Sequence, residues 1–337
     1  MTEKKISIVI IGRNDNYGGD FRSRLQRSVS YNHEQLTIHK ISSELIFVNY
    51  NPFPEPLIEE FIRFPESNEF VSVRIINVAE TVHEKIVAEF GVKDITVLEF
   101  IAKNVGIKRA TGEFIVCTNA DILFHKDLFQ LFNNPDKRFF YRANRFDFFS
   151  TENSSADEQL KNITRIWLKG YYKDFKEHSS IEWKLFSAKI GRLYYYCSYN
   201  FKKMFNPLIR FLWGTEYHPK VEMKYHCHCS GDFMLMHRDS WNNLRGYWEK
   251  SFVTLHVDAL LVIQAAASGL KEKVMRCPVY HQEHDRRYDH SADNNEYRNE
   301  YLHFQQQAEQ MLENKKAKVY NDENWGLSTF DLPEKIV

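Results

Sequence analysis

The chain has 337 residues, of which 43% are apolar, enough to bury a sizeable core in one elaborated domain or in a domain with an appendage. Its 45 basic residues balance its 45 acidic residues, so the formal net charge is zero, and this excludes a general nucleic-acid binder, which carries excess positive charge. The five cysteines lack the spacing of a disulfide framework, and no apolar run is long enough for a signal sequence or a membrane span, so we expect a reduced, cytoplasmic protein.

Strands and helices alternate in the first part of the chain. Apolar runs predict strands at residues 6–11, 45–48, 70–76 and 114–117, and helical spacing predicts helices at residues 21–36 and 95–110. This alternation is typical of a mostly parallel sheet with helices on both faces, which binds its ligand beyond the carboxyl ends of the strands. Polar clusters at residues 13–15, 49–51 and 119–121 follow three of the strands, and we expect them to converge on that edge.

The alternation stops at about residue 150. We interpret residues 150–214 as an insert, whose later half is rich in aromatic and basic side chains. Beyond it the pattern predicts four further elements: an apolar segment at residues 231–236, a helix at about 256–268, a strand around 273–280 and a polar helix at 294–318. The expected divisions of the chain are residues 1–149, 150–214, 215–292 and 293–337.

The strongest chemical signal spans residues 102–121. The string A-K-N-V-G-I-K-R-A-T-G-E-F-I at residues 102–115 indicates a helix, a tight turn and a buried strand, and Asn119-Ala120-Asp121 follows. A carboxylate at the end of a strand can hold a divalent cation that bridges a nucleotide diphosphate. By itself, Asp121 is equally explained as an acid that caps a helix.

This string resembles the nucleotide-sugar domain of the family-two-like glycosyltransferases with the GT-A fold. Their helix reads N-x-G-x-x-x-A-x-G-E and precedes a strand and a D-x-D motif, whereas this chain has Asn119 at the first aspartate. The chain is similar to one set of that superfamily in further motifs, which lie in order outside the insert: R-N-D-N-Y-G-G at residues 13–19, E-L-I-F-V-N-Y-N-P at 44–52, C-S-G-D-F at 229–233, R-G-Y-W-E at 245–249, H-V-D at 256–258 and Y-H-Q-E-H at 280–284.

The resemblance implies a GT-A-type α/β fold with a mostly parallel sheet, a helical and aromatic insert and a C-terminal helical tail. It implies transfer of a sugar from a nucleotide sugar, a UDP-sugar above all, to a glycan or lipid-linked acceptor, with Mn²⁺ or Mg²⁺ as cofactor. Residues 1–149 would then bind the donor, and residues 215–292 would bind the acceptor and carry out catalysis.

The same resemblance assigns roles to individual residues. In an inverting transfer, Asp258 would be the general base, and Asp232 and Glu249 would hold acceptor hydroxyls. Asp121 would bind the metal, together with His281 or His284. The residues expected to bind the donor are Arg13, Asn14, Asp15, Asn49, Asn51, Lys103, Asn104, Arg109 and Asn119. Asn49 departs from the glutamate of the pattern.

Plainer explanations stay open at this point. Asp258 could be a helix-terminal acid, Arg109 a solvated helix residue and the two histidines hydrogen-bonded loop residues. A non-catalytic carbohydrate-binding protein on a degenerate transferase fold would explain Asn119. A sugar-1-phosphate nucleotidyltransferase would need a glycine-rich phosphate loop, which residues 12–15 do not provide. The His-Cys-His-Cys run at residues 226–229 lacks the second ligand cluster of a structural zinc site.

The later half of the insert, residues 181–213, is predicted to contact an anionic membrane surface or a lipid-linked acceptor. Its aromatic side chains alternate with six cations and one acid, Glu182. The alternative is a helical subdomain packed on the core. Pro207 and the run of tyrosines at residues 194–196 are expected to interrupt any amphipathic helix. The six cations are Lys184, Lys189, Arg192, Lys202, Lys203 and Arg210.

Overall fold

A computed structural model describes residues 4–91, 95–149, 162–175, 179–205, 221–249, 256–284 and 295–337. The strands, in chain order, are β1 (Ile6–Gly12), β2 (Ser43–Tyr50), β3 (Val71–Val78), β4 (Phe114–Cys117), β5 (Ile122–Phe124), β6 (Phe139–Arg142), β7 (Arg145–Phe148), β8 (Ile163–Leu168), β9 (Tyr171–Asp174), β10 (Met234–His237), β11 (Lys271–Val274), β12 (Val279–Gln282) and β13 (Glu334–Ile336). The helices are α1 (Phe21–Ile38), α2 (Ile58–Phe61), α3 (Glu80–Phe90), α4 (Glu99–Arg109), α5 (Lys126–Phe132), α6 (Ile181–Met204), α7 (Val221–Lys224), α8 (Arg238–Leu244), α9 (Val257–Ala267) and α10 (Asn295–Asn314).

The strands form two sheets. The first has eight strands in the order β11-β6-β10-β4-β1-β2-β3-β13, with β1 to β4 parallel to one another and β10 and β13 antiparallel to their neighbours. The second has five strands in the order β5-β12-β7-β8-β9, of which only β12 and β7 pair in parallel. The chain crosses from the first sheet to the second after β4, after β6 and after β11. The α/β class and the helices on the sheet are as predicted, whereas the second sheet was not anticipated.

Helices cover both faces of the first sheet because neighbouring strand residues point to opposite sides. Val9 belongs to the core that packs on α4, α8, α9 and α10. Ile8 and Ile10 belong to the core that packs on α1 and α5. Strands buried on both faces read as continuous apolar runs, which is why β1, β2 and β4 were evident from the sequence.

The predicted strand at residues 273–280 is wrong. Residues 271–274 form β11 in the first sheet, and residues 279–282 form β12 in the second sheet. Pro278 lies between the two strands. Because proline lacks an amide proton for the ladder, one continuous strand through this position is disfavoured.

The insert also differs from its prediction. Strands β8 and β9 extend the second sheet, and α6 continues through Tyr194 without a break. Ser180 begins this helix by accepting a hydrogen bond from the Trp183 amide at 3.3 Å. Gly191 allows close packing, since a Cβ there would lie 2.3 Å from the Tyr171 hydroxyl. Pro207 lies outside the described residues. None of the described helices combines the length and the apolar character needed to cross a bilayer.

Candidate active site

Three side chains with metal-binding atoms meet where the first sheet passes into the second. Asp121 follows β4, and the pairing of β12 with β5 places His281 opposite Ile122, next to Asp121. Asp121 Oδ2 lies 3.2 Å from His284 Nε2 and 3.7 Å from His281 Nε2. One donor atom from each of the three residues lies within 4.8 Å of the others, and the described residues contain no other such group.

The donor set fits a divalent cation. Asp121 Oδ1 is buried and has no hydrogen-bond partner among the described residues, so it keeps its lone pairs. Asp121 Oδ2 instead accepts a hydrogen bond from Arg24 Nη1 at 3.0 Å. Burial acts to raise the pKa of Asp121, but the two imidazoles and Arg24 outweigh it and hold this pKa below its usual range. The carboxylate is therefore ionised, as metal binding requires.

A buried ion pair lies behind His281. His281 Nδ1 is 3.3 Å from Asp147 Oδ1, and Asp147 also forms an ion pair with Arg145. The second oxygen of Asp147 accepts a hydrogen bond from Trp167 Nε1 at 2.9 Å. The Asp147 carboxylate thus lies beside one nitrogen of the imidazole, and the other nitrogen, Nε2, faces Asp121. A carboxylate in such a position helps to orient a metal-binding ring.

The ion pair continues into a second polar cluster. Arg145 Nη1 donates to Asp232 Oδ2 at 2.9 Å, and Asp232 Oδ1 accepts from Asn119 Nδ2 at 2.7 Å. Asn119 Oδ1 accepts from Lys103 Nζ at 2.7 Å. Polar contacts thus link the three metal-binding candidates to the N-terminal end of helix α4.

Asp258 lies at the far end of this network. Its Oδ2 accepts from the Gly231 amide at 2.6 Å, and its Oδ1 accepts from the Ala259 amide at 2.8 Å. Lys103 Nζ lies 3.2 Å from the Gly231 carbonyl. The carboxylate is held at the start of α9 with one backbone donor on each oxygen, so each oxygen retains a lone pair that could accept a proton.

Lys103 is fully buried and its donors already have partners. Besides Asn119 and the Gly231 carbonyl, its Nζ donates to Glu99 Oε1 at 2.7 Å. Burial acts to lower the pKa of Lys103, but Glu99 and the other acids raise it above its usual value. Lys103 is therefore held by three acceptors, and each carboxylate oxygen of its neighbour Asp232 accepts one hydrogen bond.

The loop after β1 lies at the expected edge. The Asn14 side chain holds the neighbouring loop by donating to the carbonyls of Phe53 and Pro56 at 2.9 and 2.6 Å. Arg13 stacks over the Phe53 ring at 3.9 Å, and its Nε is buried without a partner among the described residues. Asp15 caps a turn by accepting from the Tyr17 amide at 3.0 Å.

The carboxyl end of β2 and the residue after it contribute two side-chain amides. Asn49 Nδ2 donates to Asn77 Oδ1 at 2.8 Å, while Asn49 Oδ1 is buried and unpartnered among the described residues. Asn51 has a left-handed backbone and donates to the Thr96 carbonyl at 2.9 Å. Asn49 and Arg13 thus each have a buried polar atom at the carboxyl edge of the sheet that has no hydrogen-bond partner among the described residues.

The structure does not bring Arg109 to this edge. Arg109 ends α4 at the opposite edge, where it donates to the carbonyls of Gly326 and Leu327 at 2.7 and 2.8 Å. Asn104 and Glu249 bond to each other at 2.9 Å, and Asn104 also bonds both backbone groups of Tyr247. Glu249 Oε1 also accepts from the Gly326 amide, so these contacts join α4 to the C-terminal segment.

Three residues of the site were missed by the sequence reasoning. Arg24 lies on the buried face of α1. A basic residue among the apolar positions of that face was the feature of the sequence that could have identified it. Arg145 and Asp147 alternate with Phe146 and Phe148 in β7, so both charges point to one face of a buried strand. The contacts of Asp147 with Trp167 on β8 and His281 on β12 were not visible because the second sheet was not predicted.

No model of a protein family and no curated protein sequence matches the chain. Among solved structures, the chain is similar to the catalytic domain of Drosophila β1,4-galactosyltransferase 7 in complex with xylobiose. The two have 10% sequence identity and a TM-score of 0.42, and the match covers 89% of this chain and 79% of that one. It is also similar to residues 1–349 of TarS from S. aureus, with 10% identity, a TM-score of 0.41, and coverage of 82% of this chain and 60% of that one. The chain thus spans less than two thirds of the TarS chain. At this level neither likeness bears on activity, which has to be inferred from the site.

Proposed function

We propose that the chain is a glycosyltransferase that moves a sugar from a nucleotide-sugar donor, a UDP-sugar above all, to a glycan or lipid-linked acceptor. The observation that carries this proposal is the Asp121–His281–His284 cluster at the carboxyl edge of the parallel strands, the edge where such sheets bind ligands. Arg13 and Asn49 lie at the same edge, and each has one buried polar atom without a hydrogen-bond partner among the described residues.

The cofactor is proposed to be a divalent cation held by the Asp121 carboxylate and by Nε2 of the two histidines. When bound, the cation supplies positive charge to the departing diphosphate. Two imidazoles among three protein ligands favour Mn²⁺ over Mg²⁺, since Mg²⁺ prefers oxygen ligands. Asp147 holds the His281 ring in the orientation that such a ligand needs.

The charges around this site imply that cation binding depends on the donor. Arg24 is paired with Asp121, and Arg145 is paired with Asp147, so each of these two carboxylates already has a guanidinium partner. A divalent cation therefore gains little electrostatic binding energy from these side chains alone and gains more when a negatively charged diphosphate lies beside them. We expect Mn²⁺ to bind at least about fivefold more tightly when UDP is present, which calorimetry with and without UDP would measure.

Asp258 is proposed to be the general base. Its carboxylate takes the proton of the acceptor hydroxyl while that oxygen forms a bond to the anomeric carbon. The bond from the anomeric carbon to the diphosphate oxygen breaks on the opposite face, and the diphosphate leaves with that electron pair. The product therefore has inverted anomeric configuration. The Gly231 and Ala259 amides hold the carboxylate in place without occupying all of its lone pairs.

The decisive experiment uses Asp121→Asn and Asp258→Asn. Asparagine is chosen at position 121 because alanine would leave the buried Arg24 without its partner. Asp121→Asn should remove Mn²⁺-dependent turnover of the UDP-sugar, and Asp258→Asn should reduce turnover by about two to four orders of magnitude. The matched control is Asp239→Asn, whose side chain is exposed on α8.

The same assay separates the alternatives. A carbohydrate-binding protein would be stabilised by sugar without any turnover, and a nucleotidyltransferase would release pyrophosphate from a nucleoside triphosphate and a sugar 1-phosphate. If Asp121→Asn keeps wild-type activity in Mn²⁺, the metal assignment is wrong. Retention of configuration in the product, read by NMR, would exclude both the inverting mechanism and the role of Asp258.

A further inference from the structure

Helix α6 exposes an apolar stripe along most of its length. Seven large side chains on it are each at least half exposed: Trp183, Phe186, Ile190, Leu193, Tyr194, Phe201 and Met204. At about 100° per residue these positions fall within an arc of about 100°, so they form one continuous stripe. We refer to these seven residues as the α6 stripe. Large apolar residues rarely gather on a soluble surface without a partner.

The opposite face of α6 is already used for packing. Ala188 and Tyr199 are buried there, and Lys184 is buried with its Nζ 2.7 Å from the Ile163 carbonyl. This face lies against strands β8 and β9 of the second sheet. The expectation that the aromatic residues of the insert pack on the core therefore does not hold for the α6 stripe, which points away from the sheet.

Cations flank the α6 stripe. At about 100° per residue, Lys189 lies about 40° from one edge of it, and Lys203 and Lys202 lie about 80° from its two edges. All three lysines are exposed. Arg192 is also exposed, although its Nε donates to the Lys169 carbonyl at 3.0 Å. Glu182 is the single acid within the helix. Lys184, which is buried, does not contribute to this charge, and Arg210 lies outside the described residues.

We propose that the α6 stripe binds the surface of an anionic lipid bilayer. Trp and Tyr side chains settle at the level of the headgroups, and Phe, Leu, Ile and Met enter the boundary of the acyl chains. The flanking lysines are attracted to anionic headgroups. A second copy of the chain fits less well, because each helix would bring the same excess of cations to the contact and almost no acid to pair with them.

This inference goes beyond the proposed transferase activity and does not depend on it. Helix α6 packs on β8, which pairs with β7, the strand that carries Asp147. The face of β7 that α6 covers carries Phe146 and Phe148, whereas Asp147 points to the other face of the sheet. A bilayer bound at the α6 stripe would therefore lie on the opposite side of the second sheet from Asp147.

The experiment is flotation of the whole chain with vesicles. Vesicles of phosphatidylcholine containing phosphatidylglycerol are compared with vesicles of phosphatidylcholine alone, at low and at high salt. We expect binding to the anionic vesicles that weakens with salt. The triple variant Lys189→Glu, Lys202→Glu, Lys203→Glu should lower the partition coefficient by at least about 100-fold.

A matched control reverses three exposed lysines elsewhere, Lys85, Lys126 and Lys316, to glutamate, which changes the net charge by the same amount. This control should float as the wild type does. The double variant Phe186→Ser, Ile190→Ser should lose binding even at low salt. Circular dichroism melting checks that the double variant folds. If it does not fold, the triple lysine variant alone tests the proposal.

Three results would overturn the proposal. One is no flotation of the wild type at low salt. Another is an equal loss of binding in the control variant, which would show nonspecific charge attraction. The third is a dimer in sedimentation velocity without lipid that the variants of the α6 stripe dissociate, which would assign the α6 stripe to a second copy of the chain.

Discussion

Asn119 stands at the position of the first aspartate in the D-x-D motif that residues 119–121 resemble, and the structure gives it a role that aspartate could not fill. Its amide bridges two opposite charges, since Nδ2 donates to Asp232 at 2.7 Å and Oδ1 accepts from Lys103 at 2.7 Å. By sequence analogy, Asn119→Asp restores the motif and strengthens metal binding. From the structure we expect the reverse, a loss of stability with no gain in metal affinity.

The magnitude follows from the two contacts. Two carboxylate charges about 2.7 Å apart repel by about 6 kcal/mol at an effective dielectric constant of about 20. The new carboxylate gains a comparable attraction to Lys103, so the two Coulomb energies nearly cancel. What remains is the lost hydrogen bond to the charged Asp232, worth about 1.5–3 kcal/mol. We expect Asn119→Asp to lower the free energy of unfolding by about 2 kcal/mol at neutral pH.

The assay is denaturant unfolding of the wild type and of Asn119→Asp, followed by calorimetric titration with Mn²⁺ in the presence of UDP. Asn243→Asp is the control, because it makes the same change in charge at an exposed position of α8. That control should stay within about 0.5 kcal/mol of the wild type. If Asn119→Asp is as stable as the control and binds Mn²⁺ more tightly than the wild type, the bridging role of the amide is refuted.

Two further predictions concern buried ion pairs. Asp147→Asn should weaken Mn²⁺ binding by about 10- to 100-fold, because the ring of His281 loses its orienting carboxylate; titration followed by electron paramagnetic resonance measures this without turnover, and affinity equal to that of the wild type would exclude the positioning role. Glu44 is buried and lies 2.5 Å from Arg74 Nη1. Burial acts to raise the pKa of Glu44, but Arg74 and the other donors lower it below the ordinary value of 4.5. The ionised Glu44 therefore contributes fully to stability above pH 4.5, and this contribution is lost as the pH falls through the lower pKa of the folded protein. Glu44→Gln should therefore be less stable by about 1.5–3 kcal/mol at neutral pH and should lose less stability than the wild type on acidification, which melting curves across the acid range would show; parallel curves for the two proteins would contradict this.

Local patterns in the sequence determined much of the first sheet. Continuous apolar runs predict strands that are buried on both faces, and polar turn formers after them mark the carboxyl edge. Asp121, His281 and His284 were expected at the site, and the structure brings them together. Apolar runs and turn-forming residues act locally, so these segments can be predicted without knowing which distant residues they contact.

The second sheet depended on pairings that no local pattern specifies. Strands β7, β8 and β12 are short, and each becomes a strand by pairing with another that can lie more than a hundred residues away. Helix α6 shows the same limit, because the tyrosines at residues 194–196 were expected to interrupt it, and a local pattern does not say which face of a helix packs. Only the position of the second sheet decides that Ala188 is buried and that the α6 stripe is exposed.

The residues of helix α4 show why a site cannot be read from one segment. Lys103, Asn104 and Arg109 share one motif, yet they have different partners: Asn119, the backbone of Tyr247 and the carbonyls near Gly326. The sequence alone determined that these polar groups belong to a helix packed against the sheet. Because a buried polar group must be satisfied by whatever lies beside it in the folded chain, only the tertiary structure decided which of them serve the site and which hold the fold together.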